Sequence, residues 1–175
     1  MKNIVATLSL LFATTLSAQV AIGKATVSSP AVSLEFYDNA DNTRGIILPW
    51  VTSTAAVTGA VNGTLVYNTA DRKVYVKYAS GWRDLSVDNT GTVTTTLQDS
   101  LTDQDTAKVL IGGDPSTDTT PGILVLADTN KAMVLPKVAS PHLKIVNPSP
   151  GMIVYDTTKK QLAVFNGTVW SFWKP

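Results

Sequence analysis

Short apolar runs and alternating apolar and polar positions follow one another along most of the chain, while helical periodicity is weak. Residues 73–78 (KVYVKY) alternate, which places Val74, Val76 and Tyr78 on one face of a strand because successive side chains point to opposite faces. The preceding run, residues 64–68, is β-branched and aromatic, and a polar turn separates the two runs. The pattern predicts an all-β protein built from β-meanders.

The chain contains two copies of one unit. Residues 63–69 (GTLVYNT) align with residues 151–157 (GMIVYDT), and the offset of 88 residues (63 to 151) holds without a gap as far as Trp82 and Trp170. A constant offset that ends on matched tryptophans is the signature of an internal repeat, and repeats decide the architecture of a chain. Upstream, Ile22-Gly23 matches Ile111-Gly112, and GIILP at 45–49 matches AMVLP at 132–136.

The repeat predicts two small β-meander or β-sandwich-like lobes, at residues 20–85 and 109–175. Residues 86–108 lie between them and are rich in Thr, Asp, Ser and Gln, with few apolar side chains. Such a segment cannot bury enough surface to form its own core, so it is interpreted as a linker. A lone core of about 65 residues is marginal, which favours pairing of the lobes or oligomerisation.

Residues 1–19 have the three-part pattern of a secretory signal peptide. Lys2 supplies a positive charge, residues 4–12 are mostly apolar, and residues 16–19 (LSAQ) offer small residues for cleavage. The apolar run is shorter than the roughly 20 residues needed to span a bilayer. We therefore expect an exported protein, located in the periplasm, at the outer membrane or on the cell surface, with no membrane-spanning segment in the mature chain.

Composition excludes several classes of function. Fourteen basic and 13 acidic residues give a net charge of +1, without the basic footprint that nucleic acid binding needs. The absence of cysteine excludes disulfides, thiolate metal sites and a cysteine nucleophile. His142 is the one histidine and lies in an irregular stretch, and the acidic residues match no calcium loop. We expect no enzyme activity, no cofactor and no metal site.

The aromatic residues are the remaining candidates for contacts with a partner. Those repeated in both copies are expected to fill the core of the unit: Tyr67 with Tyr155, and Trp82 with Trp170. Trp50 and Trp173 have no aromatic counterpart in the other copy. These two are therefore predicted to contact a protein partner or a glycan.

The repeat resembles one found in secreted surface proteins of the Bacteroidota, the Flavobacterium-like bacteria. The motifs of that repeat are an IGT segment, an LE segment, a GhhLP segment, a GhhhYNT segment and a final YNG-W segment. Here the matching residues are 22–23 (IG), 34–35 (LE), 45–49 (GIILP), 63–69 (GTLVYNT) and 164–170 (VFNGTVW). The resemblance implies a surface protein associated with adhesins or fibres.

The resemblance also implies O-glycosylation, which these bacteria place on Ser or Thr after Asp. The motif occurs at Ser100, Thr106, Thr119 and Thr157. Ordinary Asp-Thr turn chemistry explains the same tripeptides equally well.

Two functional hypotheses follow from the sequence. The first is a non-enzymatic structural or protein-interaction component of the bacterial envelope or surface, an accessory subunit or a self-associating protein. The alternative is a carbohydrate-binding module or lectin.

Overall fold

A computed structural model describes residues 19–174 apart from 103 and 105. The predicted signal peptide, residues 1–19, lies outside the described residues except for Gln19. The described chain is all-β with two short helical turns, which confirms the predicted fold class. The helical turns are a 3-10 turn at Thr54–Ala56 and α1 at Pro141–Lys144.

The fourteen short strands of the described residues divide evenly between the two copies. In the first copy they are β1 (Val20–Ile22), β2 (Val32–Phe36), β3 (Ile46–Ile47), β4 (Trp50–Val51), β5 (Leu65–Asn68), β6 (Lys73–Tyr78) and β7 (Gly81–Asp84). In the second they are β8 (Val109–Ile111), β9 (Leu124–Leu126), β10 (Ala132–Val134), β11 (Lys137–Val138), β12 (Met152–Asp156), β13 (Gln161–Phe165) and β14 (Trp170–Trp173).

The last four strands of each copy form the same sheet. The order is β4-β5-β6-β7 in the first copy and β11-β12-β13-β14 in the second, each with one parallel pair followed by an antiparallel meander. The backbone repeats as closely as the sequence. Tyr67 N–H donates to the Pro49 carbonyl at 2.9 Å, and Tyr155 N–H donates to the Pro136 carbonyl at the same distance.

Strands from the two copies pair with each other, so the predicted arrangement of two separate lobes is not confirmed. β2 of the first copy pairs in parallel with β10 of the second, and β3 pairs antiparallel with β12. One buried cluster combines Tyr67 and Val74 of the first copy with Ile153 and Val164 of the second. Sharing a core in this way relieves the shortage of buried surface that each small unit would have alone.

The segment between the copies is only partly linker-like. No strand forms among the described residues of 86–108. Its first part packs on the second copy, where Val87 N–H donates to Ser171 Oγ at 2.9 Å and Thr92 Oγ1 donates to the Gly167 carbonyl at 3.0 Å. Its later part is exposed. The segment therefore connects the copies and, at its start, also covers one of them.

Candidate interaction surface

Trp50 lies in β4 at the contact between the two copies. Its side chain is half-buried, and its indole N–H donates to the Pro150 carbonyl of the second copy at 2.9 Å. Its ring lies 6.1 Å from the ring of Tyr67, at a tilt of 50°. Part of the side chain thus stabilises the chain itself, and contact with an external partner stays a prediction.

Trp173, at the end of β14 in the second copy, likewise contacts the other copy. It is half-buried against the shared core and donates its indole N–H to the carbonyl of Leu85 in the first copy. The guanidinium of Arg83 lies 5.6 Å from the centre of its ring. The structure therefore places both predicted contact residues where the copies meet, against the same buried cluster.

The four predicted glycosylation residues are all exposed, at Ser100, Thr106, Thr119 and Thr157. The aspartates that precede two of them have structural roles. Asp118 forms an ion pair with Lys108 at 2.9 Å, and a hydrogen bond from that ammonium lowers the pKa of the carboxyl below its usual value. Asp156 is fully buried and accepts the backbone N–H of Ser140 and Thr158.

The two repeated tyrosines differ in burial. Tyr67 is fully buried and its hydroxyl donates to the Asn166 carbonyl at 2.8 Å, as expected for a core residue. Burial raises the pKa of Tyr67 to about 12, so this hydroxyl keeps its proton at neutral pH. Tyr155 is 37% exposed, and the expectation that it fills the core is wrong. The reason is that Tyr67 packs on the second copy, whereas no element of the described chain covers Tyr155 in the same way.

An apolar surface at β8 and β9 was missed by sequence reasoning. Val109, Ile123 and Leu124 are 57%, 66% and 47% exposed. These two strands pair only with each other within the described part of the chain. The equivalent strands of the first copy, β1 and β2, continue into β10, and Leu34 in the middle strand is 1% exposed.

Three further features are candidates for a site: groups of metal-ligating side chains, His142 and an open cavity. The described residues hold no cluster of three or more metal-ligating side chains. His142 packs edge-on against the Phe172 ring, with the ring centres 5.7 Å apart. An open cavity of about 610 Å³ lies beside β2, and Phe36, Tyr37 and Arg44 are among its lining residues. None of the predicted site residues lines it.

β9, Tyr155 and Trp173 lie within a region that is similar to a known family. Residues 114–174 match the family described as "Phage tail like trimerisation region". The match begins in the loop before β9 and ends after β14, so it covers most of the second copy. Comparison with curated proteins and with solved structures finds no significant match.

This match indicates self-association and a structural, fibre-like component. It gives no support to a glycan partner. Among residues 19–174, as far as they are described, no helix has the length and hydropathy to cross a bilayer.

Proposed function

We propose that the protein is a non-enzymatic structural component of the bacterial envelope or cell surface, and that it acts as a homotrimer in a fibre-like assembly. The observation that carries the proposal is the trimerisation-region match over residues 114–174. The signal-peptide pattern of residues 1–19 supports export, and the repeat resemblance supports a place at the surface of a Bacteroidota cell.

Strands with one free edge give this role a physical basis. β9 and β10 each have a free edge within the described chain, and a free edge carries unpaired backbone N–H and C=O groups that pair readily with another strand. Binding between folded chains also stabilises each chain by mass action, which suits units that share a small core.

The proposal is tested in the native envelope. The full chain with a C-terminal affinity tag is expressed in its native bacterium, cross-linked before the cells are lysed and purified from the envelope fraction. We expect a band of three chains that co-purifies with a larger assembly, and a chain without residues 1–19 serves as the unexported control. A monomer in the cytoplasmic fraction would contradict both the location and the structural role.

A further inference from the structure

The two copies contact each other through non-equivalent strands. β2 of the first copy pairs with β10 of the second, and β3 of the first copy pairs with β12 of the second. Neither contact joins equivalent strands, because the repeat matches β3 with β10 and β5 with β12. A contact of this head-to-tail kind leaves one unused surface at each end of the pair.

The first unused surface is the free edge of β9. Leu34 lies opposite Val20 in the β1–β2 pair, and Leu124 lies opposite Val109 in the β8–β9 pair, so the two leucines are equivalent. Leu34 is 1% exposed and has Met133 of β10 beside it, whereas Leu124 is 47% exposed and has no strand on that side in the described chain. β9 therefore lacks the strand that a following copy would supply.

The second unused surface is one half of the β5 edge. In the second copy, the edge of β12 receives β3 at Met152 and Ile153 and receives β11 at Tyr155 and Asp156. In the first copy, β5 receives β4 at the equivalent of the β11 position. The other half of its edge, residues 64–65, has no strand beside it in the described chain. β10, the equivalent of β3, has a free edge that matches this vacancy.

The tyrosines and glycines show the same asymmetry. A Cβ on Gly151 would lie 2.8 Å from Tyr67 Cβ, so Tyr67 packs directly on this glycine. Their equivalents are Gly63, where an added Cβ would meet nothing within 4 Å, and Tyr155, which is 37% exposed. Tyr67 also donates to Asn166, which is 1% exposed, while the residue at that place in the first copy is Tyr78, 46% exposed.

We propose that chains of this protein associate head to tail, with the second copy of one chain packing on the first copy of the next. In this contact β9 pairs with β3 of the next chain, β10 pairs with the free half of its β5 edge, and Tyr155 packs beside its Gly63 and Tyr78. The inference rests on the self-association in the proposed function and names the surfaces that carry it. Head-to-tail contacts close into a ring when the rotation fits, and three chains would place six copies of the unit in that ring.

The test breaks each end of the contact separately. Tyr155→Asp puts a charge on one surface and Tyr78→Asp puts a charge on the other, and both side chains are exposed enough for the fold to tolerate the change. Light scattering of purified residues 20–175 is expected to show loss of the trimer for each variant alone. An equimolar mixture has one intact contact, between Tyr155 of the Y78D chain and Tyr78 of the Y155D chain, so it is expected to give a heterodimer and no trimer.

Tyr37→Asp is the matched control. Tyr37 is 39% exposed, close to the 37% of Tyr155, and it lies at the end of β2 outside the proposed surfaces. This variant should remain trimeric, and circular dichroism checks that all three variants are folded. If Y155D and Y78D also remain trimeric, the head-to-tail contact is wrong while the trimer stands. If the unmodified chain is a monomer, the proposed function fails instead.

Discussion

Trp173 donates its indole N–H to the backbone carbonyl of Leu85, and the two residues occupy the same place in the two copies of the repeat. The bond joins the end of β14 to the residue just after β7, so it holds the last strand of one copy against that of the other. Leucine has no side-chain donor to return the bond. Equivalent positions in the two copies therefore have different roles: Trp173 donates a side-chain hydrogen bond, and Leu85 accepts it through its backbone carbonyl.

Trp173→Phe should destabilise the chain by about 1 kcal/mol more than Trp82→Phe does. Both changes reduce a half-buried aromatic surface. Of these two tryptophans, only Trp173 has an indole hydrogen bond in the described part of the chain, and a typical hydrogen bond contributes about 1 kcal/mol to stability. Urea unfolding of both variants measures the difference, and equal losses would mean that the bond to Leu85 contributes nothing.

Tyr67→Phe and Tyr155→Phe form a matched pair in equivalent positions. The Tyr67 hydroxyl donates to the Asn166 carbonyl in a fully buried place, so its removal should cost about 1–2 kcal/mol of unfolding free energy. Tyr155 is 37% exposed, and its variant should change stability by less than about 0.5 kcal/mol. Thermal unfolding of both variants is compared at one protein concentration in the Tyr78→Asp background, where the proposed contact between chains is broken. A larger loss for Tyr155→Phe would reverse the assignment of buried and exposed copies.

Glu35 gives the chain a dependence on acid. The carboxyl is fully buried, accepts Lys24 Nζ at 2.9 Å and accepts the Ser28 N–H at 2.6 Å. Burial favours its neutral form, but these two hydrogen bonds outweigh burial and hold the pKa of the carboxyl below its usual value. A pKa that is lower in the folded state stabilises the fold above the unfolded pKa, about 4.3 for glutamate. That stabilisation is lost as the pH falls through the folded pKa.

Lys24→Met should therefore cost about 2 kcal/mol at pH 7, because it leaves a buried carboxylate without its charged partner. The gap between variant and unmodified chain should shrink below about pH 4, where the carboxyl of the variant is protonated. Lys137→Met removes an ion pair of 3.3 Å to Asp38 between side chains that are 36% and 35% exposed, and it should cost less than about 0.5 kcal/mol. A gap for Lys24→Met that stays constant from pH 7 to pH 3 would contradict this role of Glu35.

The sequence pattern was sufficient for the strands and the repeat, because both depend on local spacing. Alternation within residues 73–78 predicts β6. The offset of 88 residues relates Tyr67 to Tyr155, and the backbone N–H of each tyrosine donates to a proline carbonyl at the same distance. The pairing of β3 with β12 was not predictable from the same pattern. Two copies with similar sequences have similar local preferences, and nothing local determines which copy an edge will pair with.

The burial of the aromatic residues shows the same limit. Tyr67 and Tyr155 have similar sequences around them, but Tyr67 packs on the neighbouring copy and is buried, whereas Tyr155 is exposed. Trp50 and Trp173 were singled out because the other copy has no aromatic residue there. The missing aromatic counterpart therefore marks residues at the contact between the two copies. This contact depends on how the two units pack together and not on either unit alone.

Native mass spectrometry of purified residues 20–175, the chain without its predicted signal peptide, measures directly whether the protein is a trimer. The measurement is made over a range of protein concentrations in a volatile buffer near neutral pH. We expect a species of three chains that persists on dilution, because the free edges of β9, β10 and β5 are then all paired. A monomer at every concentration would mean that the protein does not act as a trimer.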